Sequence, residues 1–536
     1  MRRVKAVCAS LLFFALPAAI SWAQLHAPHR LPPIPLEILQ RSIALRTGIG
    51  SAHDDASTTS KDAQALYDQG LALLHAYVWI DAARSFNAAL RLDPKLGVAH
   101  AGLSVAYVEL SRPAEARAAI DAARALGPSL PDHDRRHVEA RALQMAAEDN
   151  PGDKARLAAY RGALDAAIAA FPKDVELLLL RGIAESPDPA DRGQGCTATS
   201  APYFDKVLAV VPGNVAAHHF LTHVGENTGQ VKSALDHGAQ FAKLAPEIPH
   251  ARHMLGHNLR RAGRVFDAIV EFEAADRLHR EYAAREKIPA EYDWHFEHNL
   301  WLLATSLQYV GQMKRAATLL EAAFALPTNL LVQAYNKREW PMFLRARGRT
   351  QDAAAAAQTL IADPNPVIQG TGYIELGFVL LDGQRWADAA GAANNALKLL
   401  RAAPGGGVAA NALLALQGEY SLRTADRSKG RATIEEVAKR VRAAPGPDNW
   451  SQALFTLEAL ARTARAVGDW ELAGRIARQM IEHDPAYAGS HYTLALVAEH
   501  DEDATTAKTE FALAQKYWAK ADPDLPELAE IKKRLR

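Results

Sequence analysis

Small and apolar residues recur along this chain at a fixed interval. Ala82, Phe86, Ala89 and Pro94 are followed 34 residues later by Ala116, Ile120, Ala123 and Pro128. The same register returns at Ala234 and Pro246, then at Gly263, Ala268, Phe272 and Ala275, and again at Gly311, Ala316 and Ala323. A period of this length predicts stacked helical hairpins rather than separate globular domains. Small residues let the two antiparallel helices of a hairpin approach closely. Gly229, Gly263 and Gly311 end the first helix of their units, and proline closes the second. Abundant alanine with few β-branched and aromatic residues points the same way.

With Gly70, Ala82, Phe86, Ala89 and Pro94 in register, the chain resembles the tetratricopeptide repeat (TPR) superfamily. That resemblance implies an all-α fold: a right-handed superhelical solenoid of ten to twelve antiparallel hairpins, the first helix of each lining a concave groove. The expected organisation is a lead-in over residues 24–61, a repeat pair over 62–130, and divergent hairpins over 131–214 with an irregular insertion at 185–201. A histidine-rich block over 215–327 follows, then further repeats over 328–520 and a capping helix over 521–536.

Composition adds an address. Arg2, Arg3 and Lys5 precede an apolar stretch ending near Ala19 and the small-residue pattern Ser21-Trp22-Ala23. This is the form of a signal peptide cut after Ala23, and it predicts an exported protein, periplasmic or extracellular. The apolar run is short of a membrane span and contains Pro17. Cleavage would leave 58 basic against 61 acidic side chains and Cys196 as the one thiol, so neither an internal disulfide nor a cysteine-rich metal site is available. Near-zero net charge and the lack of a basic stripe with interleaved aromatics exclude a nucleic-acid reader.

The histidines carry the candidate chemistry. Ten of the 20 fall between His218 and His298. His219 and His223 are four apart, as are His253 and His257, and the second pair lies 34 residues beyond the first. Histidines at i and i+4 share a helix face and can reach one ion. From the TPR resemblance, these are groove-facing positions of the first helix, as are those of His250, His298 and Glu226. The expected metal residues are therefore His219, His223, His253 and His257, with Glu226, His250 and His298 beside them and His218 and His295 at the border. Imidazole and carboxylate without thiolate suit Zn, Cu or Fe. The set is large enough for a dinuclear centre, or for one ion with spare histidines around it.

The segments His219–Glu226, His250–His257 and His298-Asn299 resemble a set shared by exported bacterial TPR proteins. So do Gly48-Ile49-Gly50-Ser51-Ala52-His53-Asp54 and Tyr77–Phe86. That resemblance implies a fold but no reaction. Two functions stay open on sequence alone: a solenoid that binds a peptide or protein partner in its groove, and a metal-dependent enzyme, a zinc hydrolase or a copper or iron oxidase. Arg260 stands 34 residues after Glu226 and is its competing partner. His53 is expected in a turn and His75 at the surface. Cys196 has no histidine in reach to activate it, and Tyr292, Trp294 and Trp301 read as core. No Gly-x-Ser-x-Gly elbow, His-Glu-x-x-His, phosphate-binding loop or dinucleotide fingerprint occurs.

Overall fold

The structure is a computed structural model that describes residues 32–536 apart from 329, 425 and 445. The expected signal peptide and the first residues of the lead-in lie outside the described residues.

Among the described residues the regular structure is helical, without a strand, and successive helices pack in antiparallel pairs from Lys61 to Tyr517. The helix Pro526–Arg534 closes the end. This is the expected all-α, TPR-like solenoid. Two pairs are irregular. Val175–Ile183 and Ala201–Val210 are separated by the insertion, and one first helix is broken into Leu331–Asn336 and Glu339–Ala346. No helix among the described residues is long and apolar enough to cross a membrane.

Packing within a hairpin explains the repeat pattern. A Cβ at Gly70 would stand 2.4 Å from the Phe86 ring, and one at Gly225 would stand 2.7 Å from the Ala234 backbone nitrogen. Larger residues would push the helices apart, so small residues mark the crossing points. The turn between the two helices needs a left-handed residue. Gly229 and Gly263 supply it at φ +73° and +77°, whereas the first hairpin places Tyr77 there at φ +60°.

The superhelix is wound tightly enough for distant repeats to meet. The first hairpin (Lys61–His75 and Trp79–Leu92) touches the central ones: Tyr282 donates to Asp81 at 3.1 Å, and Arg84 pairs with Glu286 at 2.7 Å. From the other side, Arg260 pairs with Asp484 at 3.2 Å and the Tyr309 hydroxyl donates to the same carboxylate at 3.0 Å. The Asp522 N–H reaches the Gly311 carbonyl at 3.1 Å. The lead-in, irregular apart from Leu36–Leu39, is buried at Ile34, Ile38, Leu39 and Ile49. The central repeats are thus enclosed by both ends of the chain.

Candidate metal centre

Three consecutive first helices, Val215–Asn227, Pro249–Arg261 and Trp294–Tyr309, build the site. Asn214 caps the first by accepting from the Ala217 N–H, and Asp293 caps the third by accepting from the His295 N–H. Their inward faces bring six histidines together as two triads.

In the first triad the Nε2 atom of His219 lies 3.1 Å from that of His223 and 3.0 Å from that of His250. In the second, the Nε2 atoms of His253 and His257 are 2.9 Å apart, with the His298 ring 4.8 Å from His253, centroid to centroid. In each triad three ligand atoms lie within 4.8 Å of one another. The triads adjoin where the rings of His250 and His253 stack 5.8 Å apart.

What lies behind the rings sets their protonation. The His219 Nδ1–H donates to the His75 carbonyl at 2.7 Å. His253 Nδ1 faces Asn299 Oδ1 at 3.0 Å, and that amide is oriented because its Nδ2 donates to the Phe272 carbonyl at 2.9 Å. His223 Nδ1 faces Glu226 Oε2 at 3.4 Å. An acceptor behind Nδ1 keeps the proton there and leaves the Nε2 lone pair pointing inward. Several lone pairs within about 3 Å of each other repel unless a cation lies between them.

Glu226, an expected ligand, sits behind the rings and serves both triads. Oε1 lies 3.7 Å from His257 Nδ1 and accepts from Asn258 Nδ2 at 2.7 Å, while Oε2 faces His223. Arg260 is not its partner but pairs with Asp484. Asp448, at the start of the distant helix Pro447–Ala466, faces the second triad instead: its oxygens lie 3.4 Å from His298 Nε2 and 3.8 Å from His257 Nε2. Three imidazoles and a carboxylate form a four-ligand set, whereas the first triad has three imidazoles alone.

Burial determines charge. Removal from water pushes His219, His250 and His253 well below the ordinary histidine range, and the neighbouring rings push the same way. His298 is lowered by burial too. His295, whose ring lies 4.4 Å from that of His250, is brought down to about 4 by burial despite the opposing pull of Asp293. Neutral imidazole is the ligating form.

Aromatic rings surround the first triad. The Tyr77 ring lies 4.6 Å from His219 and 5.0 Å from His250, and its hydroxyl donates to the Arg192 carbonyl at 2.9 Å. Trp294 stacks on His295 with centroids 3.7 Å apart, while Trp301 is in the core. In front of the triads lies a cavity of about 640 Å³. His223, His250, His253, His257 and His298 line it together with the Arg338–Glu375 and Arg345–Glu419 pairs. Gln194, Gly195 and Thr197 of the insertion form part of the wall.

Other histidines stand apart. His218 meets His237 Nδ1 to Nδ1 at 2.9 Å, and His53 pairs with Asp68 and Asp55. His75, expected at the surface, is buried against Glu176 at 2.9 Å because superhelical winding covers it. Cys196 is buried, and burial raises its thiol well above the usual range. Sequence reasoning missed Asp448 and gave Tyr77 no place in the site, although it lies in the Tyr77–Phe86 segment that carries the resemblance. A tyrosine where Gly229 and Gly263 stand in the central units was a further signal.

No family model matches the chain, and no curated protein matches it. Among solved structures it is similar to yeast Tom70, with TM-score 0.34 and 14% identity over 88% of this chain and 94% of that one. The human IFIT1 dimer with PPP-AAAA has TM-score 0.39 and 14% identity, covering 87% of this chain and 96% of that one. The apo quorum sensor NprR from B. thuringiensis has TM-score 0.42 and 14% identity, covering 74% and 99%. At this level of likeness no residue role passes to this chain.

Proposed function

We propose that this chain is an exported metalloprotein whose solenoid holds two transition-metal ions, one per histidine triad, and presents them to a ligand in the central cavity. The observation that carries the reading is the set of acceptors behind the rings. The His75 carbonyl, Asn299 Oδ1 and Glu226 hold protons on Nδ1 and aim the Nε2 lone pairs of His219, His253 and His223 inward. Zn, Cu and Fe fit such ligands. The occupant of the groove is a peptide or partner protein that offers a metal-coordinating group.

Metal analysis of the untagged protein tests this. The parent should bind about two equivalents of Zn, Cu or Fe more than a His219→Ala/His253→Ala variant that keeps its helical circular dichroism. No uptake by the parent protein in excess metal would refute it. Export is checked by N-terminal sequencing of the secreted chain, which should begin at Gln24.

A second reading, a metal-dependent enzyme, is favoured by one feature: the first triad has three protein ligands and borders the cavity through His223 and His250. Three histidines plus an open position is the arrangement that activates water on zinc or a co-substrate on copper or iron. Catalysis would make His223→Ala abolish turnover without unfolding. Simple groove binding would spread the loss over many side chains.

A further inference from the structure

We propose that Asp54, His133, His137 and Asp174 form a separate, closed site for one divalent transition-metal ion, zinc first by ligand type, which pins the lead-in to the third and fourth hairpins. The four residues share no member with the triads. Asp54 comes from the lead-in, His133 and His137 are four apart on the helix Asp132–Glu148, and Asp174 caps the helix Val175–Ile183.

Their four ligand atoms all lie within 4.8 Å of one another. His133 Nε2 lies 3.3 Å from Asp54 Oδ1 and 3.0 Å from Asp174 Oδ2. His137 Nε2 lies 2.9 Å from the same Asp174 oxygen and 4.0 Å from the same Asp54 oxygen. Ligands about 2.0–2.1 Å from a tetrahedral ion are about 3.3 Å apart, the middle of this range. Three of the four donors are also held from outside, as metal ligands generally are. Asp134 Oδ1 is 3.0 Å from His133 Nδ1, the Tyr67 hydroxyl donates to Asp54 Oδ2 at 2.7 Å, and the Leu177 N–H donates to Asp174 Oδ1 at 2.9 Å.

Charge gives the second argument. The side chains of Asp54, Asp134 and Asp174 are 3%, 1% and 4% exposed, and among the described residues no arginine or lysine pairs with them. Three carboxylates together out of water need positive charge, which a divalent ion supplies with the histidines neutral. Four protein ligands leave no open position, so the site is structural. Its free energy of binding becomes free energy of ordering. The lead-in continues this tie to the centre, since the Glu247 N–H donates to the Gly48 carbonyl at 2.9 Å, next to the helix that carries His250.

The competing occupant is protons on the two imidazoles. Full-length protein stripped with EDTA is titrated with zinc, beside Asp54→Asn and His137→Asn variants and the His219→Ala/His253→Ala protein. One equivalent should be missing from each of the first two relative to the parent. In the triad variant, zinc should still raise Tm and slow backbone hydrogen–deuterium exchange in peptides covering Asp54 and His133–His137, read by mass spectrometry. This second measurement decides even if the Asp54 and His137 variants fail to fold. Full zinc content in a folded Asp54→Asn variant, or exchange in those peptides that is equal with and without zinc, would overturn the proposal. Failure of the triad reading alone would leave this zinc-dependent protection intact.

Discussion

Replacing Glu226 with glutamine would test the architecture behind the triads more sharply than removing a ligand. The Glu226 carboxylate, 4% exposed, divides its oxygens between the two triads. Asn258 donates to Oε1 at 2.7 Å, so the glutamine keeps its oxygen there, on the side of His257. Its new NH₂ then faces His223 Nδ1, where Oε2 stood at 3.4 Å. Two donors cannot face each other, so His223 would move its proton to Nε2, the atom that binds the ion. Loss of an outer partner of a ligating histidine typically costs 10–100-fold in metal affinity. The first site should therefore weaken by about that factor, about 1.4–2.7 kcal/mol, and the second by less than about tenfold. Zinc competition against a chromophoric chelator, fitted to two sites, reads both. The metal-free variant should be no less stable than the parent, since a buried carboxylate has been neutralised. Equal loss at both sites, or disappearance of a whole equivalent, would refute the reasoning and make Glu226 a ligand.

Three further outcomes follow from the geometry. Tyr77→Gly relieves a left-handed backbone at φ +60°, worth about 1 kcal/mol, but removes a buried ring packed on His219 and His250, worth about 3–5 kcal/mol. Urea unfolding should show a net loss of about 2–4 kcal/mol; a gain would refute the packing role. In metal-free protein, stability should fall as pH drops below about 6.5, because the unfolded chain takes up protons that buried His295, held near 4, refuses. By pH 5 that group alone accounts for about 2 kcal/mol, and His219, His250 and His253 add in the same direction. His133 and His137, which their carboxylate neighbours hold protonated, contribute in the opposite direction. Four lowered groups outweigh two raised ones, so a flat stability profile between pH 7.5 and 5 would contradict the burial. Cys196, buried and with its thiol raised, should resist Ellman's reagent in native protein and react fully in denaturant; rapid native labelling would contradict its placement.

Much of the fold was legible because a repeat solenoid is built from neighbours. The offset of 34 residues from Ala82 to Ala116, and from His219 to His253, reflects local packing that sequence spacing encodes directly. The six triad histidines were found by the same register. What escaped was everything brought in by superhelical winding. Asp448 reaches His298 from a remote repeat, and Tyr77 and the His75 carbonyl reach His219 from the first one. The expectation of a surface His75 failed for that reason. In the lead-in His53 and Asp54 read as a turn, but Asp54 is buried and its partners His133, His137 and Asp174 come from two other hairpins. No local pattern announces a site assembled from three elements.

The closure of the chain on its own centre alters how this solenoid should come apart. Repeat arrays ordinarily behave as one-dimensional stacks that tolerate truncation and fray from their ends. Here the bond from His219 to the His75 carbonyl joins residues 144 positions apart, and the Arg260–Asp484 pair joins residues 224 apart. Removing hairpins from either terminus would strip a wall from the middle rather than shorten a rod. Such a molecule should unfold as one unit, and during synthesis its histidine centre can be completed only after Asp448 has emerged.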